Sequence, residues 1–472
     1  MKNTLALCLA LIASTVSTIC AGAMPLPDDE MRSSLDELTT QLEAQSFSGI
    51  IVVASADEIL YVGAPGAANP VTGEPFTLTT QIDIGSISKT VTSLAASQLI
   101  LSGDLDPAAA LADYFPELIG PKRQITLHDL LTNGAGFPGA VGPDEVDASR
   151  EDFVALALAS GLLFEPGQGY EYSNVGFGLV AALIEQETRR PFAVWVTERM
   201  QSLGLSETGY ANVYQETRSE RNLEGQPIHV ASWGGHAAPG WHLVGNGGMI
   251  STPRDLVELG RSLLRAPAPL KSLMLAPHNP EDPTNASFYG YGIVNERSDR
   301  FGQLYWHNGG NPWFSTDLYV VADHGLIVVV HGNNPDFRNP IQPVLSALFT
   351  HAIKNAVPAK PVPFDGEGES GRLAQAFLDA VGADDPVMWR AFIDQRTTEA
   401  FRSLMTIDEH LDLFAQLHRD FESAEVSTWR DERDGDRGVA RLNVALNGVS
   451  HELSVHYEVI DGRAYLRGIG LE

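Results

Sequence analysis

The chain has 472 residues, of which 60 are acidic and 31 are basic, and its formal net charge is −29. This excess of negative charge argues against nucleic acid and against an anionic membrane surface as partners. The hydrophobic content of 44% is enough for a sizeable core. We therefore expect a folded protein with two domains, or with one large and one small domain.

Residues 1–23 have the pattern of a secretory signal peptide. A basic start at Lys2 precedes an apolar run, and Ala21-Gly22-Ala23 supplies an A-x-A-like cleavage site. The two cysteines, Cys8 and Cys20, both lie in this segment, so the mature chain has neither a disulfide nor a cysteine nucleophile. A lipoprotein would use Cys20, but Ile19 fits poorly the small residue expected before it. We predict a periplasmic or secreted protein with no membrane insertion after signal cleavage.

Residues 24–356 are predicted to form the larger domain. It begins with an amphipathic helix at about 28–46 and two strands within 48–66. A helix at 86–101 ends at Gly103, helices and loops fill about 105–245, and Ser251-Thr252-Pro253 starts a helix that runs to about 265. Strands are predicted at 288–296, 302–308, 315–323 and 325–333, with a hairpin turn at 322–325 and a closing helix at 341–355. Strands from both ends of the domain therefore bracket a mostly helical middle, which indicates one antiparallel sheet in an α+β fold.

A linker and a small domain follow. Residues 357–371 are rich in proline, glycine and acidic residues, which is typical of a linker. Within 372–472 the pattern predicts helices first and an antiparallel meander after them. The helices are at about 372–383, 385–394 and 407–419, and the strands at about 422–431, 437–446, 451–459 and 463–470. This is a small α+β unit.

Ser86 and Lys89 form the first motif that carries chemistry. The spacing i, i+3 puts both side chains on one helix face, just after Gly85. A lysine whose pKa is lowered by burial activates a serine hydroxyl as a nucleophile. By itself S-x-x-K is a weak signal, since a surface serine and a surface lysine have this spacing by chance in most long proteins.

Two later stretches of the chain carry residues that support the same chemistry. Tyr172-Ser173-Asn174 lies on a turn before an apolar helix, where a tyrosine can relay a proton and an asparagine amide can hold a carbonyl group. The simpler interpretation is that Ser173 or Asn174 caps the helix. Trp306-His307-Asn308-Gly309-Gly310 ends a strand, where glycines let a substrate approach and an exposed N–H binds an oxyanion. The simpler interpretation is a strand that leaves the sheet.

The order S-x-x-K, Y-x-N and (K/H)-x-G resembles the signature of serine beta-lactamases and penicillin-binding proteins. Longer phrases resemble the branch of class C beta-lactamases, D,D-carboxypeptidases and esterases. These phrases are "ITLHDLLTNGAGFPG" (125–139), "FEPGQGYEYSNVGFGLVAALIE" (164–185), "GNGGMISTPRDLVELG" (245–260) and "HNGGNPWFSTDLYVVADHGLIVVVHGNN" (307–334). The resemblance covers about 40–355 and implies a beta-lactamase/transpeptidase-like fold, in which a sheet flanked by helices is joined by a mostly helical subdomain.

The resemblance also implies residue roles. Ser86 is then the acylated nucleophile, Lys89 its base or base partner, and Tyr172 the proton relay to the leaving group and to the deacylating water. Asn174 is expected to contact the acyl side chain of the substrate. The substrate-binding strand contributes His307, Gly309 and Gly310, and the oxyanion hole consists of the backbone N–H groups of Ser86 and Gly310.

Two positions depart from the family pattern. His307 stands where lysine is usual, and because a histidine is mostly neutral at pH 7, recognition of a substrate carboxylate is in doubt. This favours an esterase or a D-aminopeptidase-like enzyme over a beta-lactamase or D-alanyl-D-alanine carboxypeptidase. Asn133 replaces the usual histidine of the "LLTHTSG" segment, with an effect that the sequence does not predict. A non-catalytic cell-wall or ligand-binding protein that retains the fold is the remaining alternative.

The other candidates add little chemistry. His229, His236 and His242 share a loop, but no carboxylate or regular spacing joins them into a metal site, so we predict neither a metal nor a cofactor. The expected partner is a small-molecule ester, amide or peptide substrate, and the oligomeric state is open. The small domain resembles NTF2-like or cystatin-like domains in its pattern alone.

Overall fold

The computed structural model describes residues 29–281, 287–298, 300–334, 341–355, 362–363, 366, 368–403, 405–421, 425–434, 437–446, 449–460 and 462–471. The predicted signal peptide lies outside these residues. The chain divides into two compact units between Phe349 and Thr350. The domain boundaries drawn from the sequence stay a prediction.

The described strands are β1 (Gly49–Ser55), β2 (Ile59–Gly63), β3 (Ile82–Asp83), β4 (Ile250–Ser251), β5 (Asn279–Pro280), β6 (Ser287–Tyr289), β7 (Val294–Ser298), β8 (Gly302–Gly310), β9 (Ser315–Val321), β10 (Leu326–Gly332), β11 (Val362–Pro363), β12 (Glu425–Asp434), β13 (Arg437–Leu446), β14 (Val449–Ile460) and β15 (Arg463–Leu471). The described helices are α1 (Asp29–Ala44), α2 (Ile87–Ser102), α3 (Leu111–Tyr114), α4 (Leu127–Leu131), α5 (Arg150–Ala159), α6 (Asn174–Thr188), α7 (Phe192–Ser202), α8 (Ile228–Ser232), α9 (Pro253–Leu264), α10 (Ala268–Met274), α11 (Ile341–Asn355), α12 (Gly368–Gly382), α13 (Pro386–Arg396), α14 (Glu399–Ser403) and α15 (Ile407–Phe421).

One antiparallel sheet joins the two ends of the first unit. Its described strands lie in the order β2-β1-β10-β9-β8-β7-β6-β5. The central pair has β1 beside β10, in register from Gly49 opposite Gly332 to Ser55 opposite Leu326. These two strands are buried along nearly their whole length because β-branched residues fill both. The α+β fold predicted from bracketing strands is confirmed.

Helix α2 is the central buried helix of this unit. Residues from Ile87 to Ser97 are all buried, and the helix contacts α6, α7 and α10 as well as β8 and β9. Each buried aliphatic side chain, such as Val91, contributes about 1.5–3 kcal/mol to stability. The helix ends where Gly103 adopts a left-handed conformation with φ of 83°, as its glycine predicts. The S-x-x-K motif therefore begins a rigid element.

The start of α9 agrees with its local sequence signals, whereas one predicted strand needs correction. The Thr252 hydroxyl oxygen accepts the Asp255 backbone N–H, and Pro253 opens α9, as predicted. The single strand predicted at 288–296 is wrong, because β6 and β7 form a hairpin there. Gly292, with φ of 64°, turns the chain against α2, where its carbonyl oxygen accepts a hydrogen bond from the Thr90 hydroxyl at 2.6 Å. A Cβ there would lie 2.4 Å from the Lys89 carbonyl oxygen, so the close approach requires glycine.

The second unit has its helices first and its sheet after them. Helices α12, α13 and α15 surround a core that includes Phe377, Phe392 and Phe414. Strands β12 to β15 form an antiparallel meander, and the short β11 pairs with β12 at the edge. The predicted order of helices followed by a meander is confirmed. Among the described residues of the whole chain, no helix is both long and apolar enough to cross a membrane.

Candidate active site

The Ser86 hydroxyl faces a buried amine. Ser86 is the residue before α2, and Lys89 lies one turn further along the same face. The Nζ atom of Lys89 donates a hydrogen bond to Ser86 Oγ at 3.1 Å. The Lys89 side chain is 0% exposed. The surface interpretation of the motif is therefore excluded, and the pair has the geometry of a nucleophile and its base.

Lys89 is held by two further acceptors. Its Nζ donates to Asn174 Oδ1 at 2.7 Å and to the Asn246 backbone oxygen at 3.0 Å. Burial lowers the pKa of Lys89 to about 7, and the Asp144 carboxylate opposes this fall. A large fraction of the amine is therefore unprotonated near neutral pH, as a general base requires.

The turn before α6 carries Tyr172 and Asn174. The tyrosine ring centroid lies 4.7 Å from Lys89 Nζ, and 37% of this residue is exposed. Burial raises the pKa of the Tyr172 hydroxyl, and its hydrogen bond with Ser86 opposes the rise. The phenol is therefore protonated at neutral pH, when Lys89 is the group that can accept a proton. Ser173 caps the helix, since its Oγ accepts the Gly176 backbone N–H at 3.2 Å.

The end of β8 lies directly against the residues before Ser86. A Cβ on Gly85, whose φ is +46°, would lie 2.4 Å from the Gly310 nitrogen, and one on Gly309 would lie 2.9 Å from the Ser86 nitrogen. Only glycines allow this approach. The Asn311 backbone N–H bonds to Phe314 across the turn, and Gly310 is opposite Ser315. Because opposed pairs alternate in an antiparallel ladder, the Gly310 N–H points away from β9.

His307 lies within β8, three residues before Gly310, and is 2% exposed. Its Nδ1 lies 2.6 Å from the Asn308 carbonyl oxygen and its Nε2 lies 2.9 Å from the Tyr289 hydroxyl. Because a carbonyl oxygen only accepts, Nδ1 carries the proton and Nε2 accepts from Tyr289. Burial, and then the charge of Lys89, lower the pKa of His307 to about 3. The imidazole is therefore neutral and both its nitrogens are bonded within the protein.

A model of the Beta-lactamase family matches residues 35–345, about two thirds of the chain. The chain belongs to the beta-lactamase family. It is a beta-lactamase-related serine hydrolase, and its fold is the beta-lactamase/transpeptidase-like α+β fold.

Curated relatives and solved structures agree with this family. The chain is 24% identical over 331 residues to penicillin-binding protein 4* of Bacillus subtilis (strain 168), which covers 65% of this chain and 72% of the relative. It is 26% identical over 286 residues to esterase EstB of Burkholderia gladioli, covering 52% and 73%. The solved D-amino acid amidase of Ochrobactrum anthropi SV3, in complex with D-phenylalanine, is 19% identical with a TM-score of 0.58, and the match covers 69% of this chain and 99% of that one. At this identity the solved structure supports the fold alone.

The cleft of this beta-lactamase-family chain is acidic. Ser86, Asn174 and Gly310 line it, together with the acidic residues Asp83, Asp144 and Glu145. Burial raises the pKa of Asp144, and the neighbouring Glu145 raises it further.

The structure brings the predicted residues together. Ser86, Asn174 and Gly310 line one cleft. Lys89 donates hydrogen bonds to Ser86 and Asn174, and the Tyr172 ring centroid lies 4.7 Å from Lys89 Nζ and 6.1 Å from the His307 ring. His307 and Gly309 are buried, and their predicted contact with substrate stays a prediction. The sequence analysis missed Asp83, Asp144, Asn246 and Asn311. Asp83, three residues before Ser86, was the one recognisable from spacing. Within the described ranges, no group of three or more His, Cys, Asp or Glu residues is placed to hold a metal.

Proposed function

We propose that the chain hydrolyses ester or amide bonds through an acyl-enzyme on Ser86, as an esterase or a D-aminopeptidase-like enzyme. The hydrogen bond of 3.1 Å between the buried Lys89 amine and Ser86 Oγ carries the proposal. Lys89 takes the hydroxyl proton, Oγ bonds to the carbonyl carbon, and the carbonyl oxygen becomes an oxyanion bound by the Ser86 and Gly310 N–H groups. The C–O or C–N bond then breaks, and the leaving group takes the proton by way of Tyr172.

Deacylation repeats these steps with water in place of the leaving group. Water loses a proton to Lys89, with Tyr172 as the relay, and attacks the acyl carbon, and Ser86 Oγ leaves and regains its proton from Lys89. The acid is released and the enzyme returns to its initial state, so the cycle consumes one water for each bond that is cleaved.

The charge of the cleft favours neutral or cationic substrates over carboxylates. Asp83, Asp144 and Glu145 line the cleft, and His307 is neutral, where the family motif usually has lysine. This supports ester or amide hydrolysis ahead of the alternatives, a beta-lactamase or a D-alanyl-D-alanine carboxypeptidase, because penicillins and D-Ala-D-Ala peptides carry a carboxylate.

The decisive experiment is a turnover assay on purified residues 24–472. Three substrates are compared: a short-chain nitrophenyl ester, a chromogenic cephalosporin and a D-alanine nitroanilide. We expect ester or anilide turnover by the wild type, none by Ser86→Ala, and wild-type turnover by Ser102→Ala, which alters an exposed serine at the other end of α2. Fast turnover of the cephalosporin contradicts the proposed preference.

The other hypothesis is a non-catalytic cell-wall or ligand-binding protein that retains the fold. Labelling by a fluorophosphonate probe distinguishes it from a serine hydrolase. We expect labelling of the wild type that is lost in Ser86→Ala, because the probe needs an activated serine. A well-folded wild type that takes no label contradicts the proposed enzyme.

We also propose that residues 1–23 direct export to the periplasm or the medium, and that 372–472 form an NTF2-like or cystatin-like domain. The basic and apolar start supports the first proposal. Helices α12 to α15 followed by a meander support the second. N-terminal sequencing of the exported protein is expected to begin at residue 24. An experimental structure of 372–472 whose helices do not pack on one face of the meander contradicts the domain assignment.

A further inference from the structure

We propose that Asp83 and Asn311 are positioning residues that hold together the two backbone segments of the oxyanion hole. This rests on the proposed function, in which the N–H groups of Ser86 and Gly310 bind the developing oxyanion. One segment is Gly85–Ser86 before α2, and the other is Gly310–Asn311 at the end of β8. We name the pair the Asp83–Asn311 clamp.

The two carboxylate oxygens of Asp83 bind one segment each. Oδ1 accepts the Gly85 backbone N–H at 2.8 Å, which fixes the residue immediately before Ser86. Oδ2 accepts a hydrogen bond from Asn311 Nδ2 at 2.9 Å, which fixes the residue immediately after Gly310. A single side chain therefore ties together the neighbours of both oxyanion donors.

Asn311 is itself fixed by the turn that follows β8. Its Oδ1 accepts the backbone N–H groups of Trp313 and Phe314 at 2.8 and 3.0 Å. Its Nδ2 also donates to Ser232 Oγ at 3.0 Å. The amide is therefore oriented with its nitrogen towards Asp83, and turning it over would place donors against donors.

The backbone of Asp83 is anchored from the other side by a buried polar network. Its N–H donates to Glu220 Oε1 at 2.9 Å, and its carbonyl oxygen accepts the Thr316 hydroxyl at 2.8 Å. His331 joins these partners, with Nδ1 at 2.8 Å from Thr316 Oγ1 and Nε2 at 2.6 Å from Glu220 Oε2. Glu220 and His331 are both 0% exposed. The clamp is therefore attached to the core, which is what precise positioning requires.

Burying a carboxylate at this position costs free energy unless both of its oxygens accept hydrogen bonds. Asp83 is 3% exposed, and burial raises the pKa of its carboxyl group. Each oxygen of Asp83 faces an N–H donor, so an amide in its place would point its own N–H₂ at one of them. A buried donor left without an acceptor costs as much as a lost hydrogen bond or more. The two segments are then expected to separate, and the oxyanion is bound less well.

The test exchanges the carboxylate and the amide of the Asp83–Asn311 clamp, one at a time and together, in the full chain. The variants are Asp83→Asn, Asn311→Asp and the double exchange, with Asp57→Asn as a matched control on an exposed turn. Each is assayed for kcat and KM on a short-chain nitrophenyl ester, for inhibition by phenylboronic acid, whose serine adduct is tetrahedral, and for thermal unfolding. Ser86→Ala is measured in the same assay.

Each single exchange is expected to lower kcat about 10- to 100-fold with KM within about twofold, since losing one oxyanion donor outright costs 10²–10³ in kcat. Phenylboronic acid inhibition is expected to weaken by a similar factor, which a merely structural role does not cause. The double exchange restores a donor facing an acceptor, and we expect it to recover most of kcat. Asp57→Asn is expected to match the wild type.

When the single variants fold, the clamp is overturned by wild-type kcat in Asp83→Asn or by a loss of kcat that only equals the partial loss of folded protein. A double exchange no better than the singles also overturns it. Should Asp83→Asn not fold, the double exchange decides, since a folded and active double exchange supports the clamp and an unfolded one overturns it. Turnover that persists in Ser86→Ala instead refutes the proposed function, whatever the Asp83 variants do.

Discussion

Asn133 holds the backbone on both sides of Tyr172. Its side-chain oxygen accepts the Ser173 backbone N–H at 3.1 Å, and its backbone oxygen accepts the Glu171 backbone N–H at 3.0 Å. Asn133 has φ of 58°, a left-handed conformation that asparagine adopts more readily than most residues. The departure from the histidine usual in this family therefore has a structural role, which is to orient the proposed proton relay.

Replacing this asparagine is expected to loosen the relay. Asn133→Ala removes the bond to Ser173 and adds left-handed strain, so we expect kcat/KM on a nitrophenyl ester to fall about tenfold. Asn69→Ala is the matched control, because the Asn69 side chain also accepts a backbone N–H but in a turn outside the cleft lining. Equal losses of activity in the two variants would contradict the positioning role.

The rate of acylation is expected to depend on the protonation of Lys89. Because the pKa of Lys89 is lowered to about 7, kcat/KM should rise with pH through an apparent pKa near 7 and then level off. The Asp144 carboxylate favours the charged amine. Asp144→Asn is therefore expected to move the rising part of the pH profile, the acid limb, to lower pH. Asp57→Asn is expected to leave the limb in place. A limb that does not move in Asp144→Asn would argue against Lys89 as the titrating base.

Burial of Lys89 should also appear in protein stability. Its pKa falls from 10.5 unfolded to about 7 folded, so between these values the unfolded state binds more protons. The free energy of unfolding then rises with pH, and this contribution is lost as pH falls towards 7. Relative to Lys89→Met, we expect the wild type to gain about 3 kcal/mol between pH 6.5 and 9.5, as measured by urea unfolding. A difference that is independent of pH would show that the lysine is charged in the folded protein.

Restoring the family's usual lysine at position 307 is not expected to create a beta-lactamase. The His307 site is 2% exposed and its charge environment includes Lys89, so His307→Lys buries a second ammonium group next to the first. We expect the free energy of unfolding to fall by about 3 kcal/mol or more, with no cephalosporin turnover. His236→Lys, in a partly exposed loop, is the control and should fold normally. A stable His307→Lys variant that hydrolyses cephalosporin would contradict our account of the cleft.

Much of the fold was accessible from local patterns. The glycine that ends α2, the capping threonine of α9 and the β-branched strands β1 and β10 each act through near neighbours in the chain, and each prediction is confirmed. The hairpin of β6 and β7 was missed because its turn is dictated by contact with α2, some 200 residues earlier, where Thr90 bonds to Gly292. No local pattern reports such a contact.

The sequence by itself determined the family, the α+β fold and the pairing of Ser86 with Lys89, because the spacing i, i+3 on a helix fixes that proximity locally. The tertiary structure alone decided what surrounds the pair. Lys89 bonds to Asn174 and Asn246, which are 85 and 157 residues away in the chain, and Asp83 reaches Asn311 across 228 residues. Burial by such distant segments lowers the lysine pKa and neutralises His307, because desolvation depends on everything that packs around a group and not on its sequence neighbours.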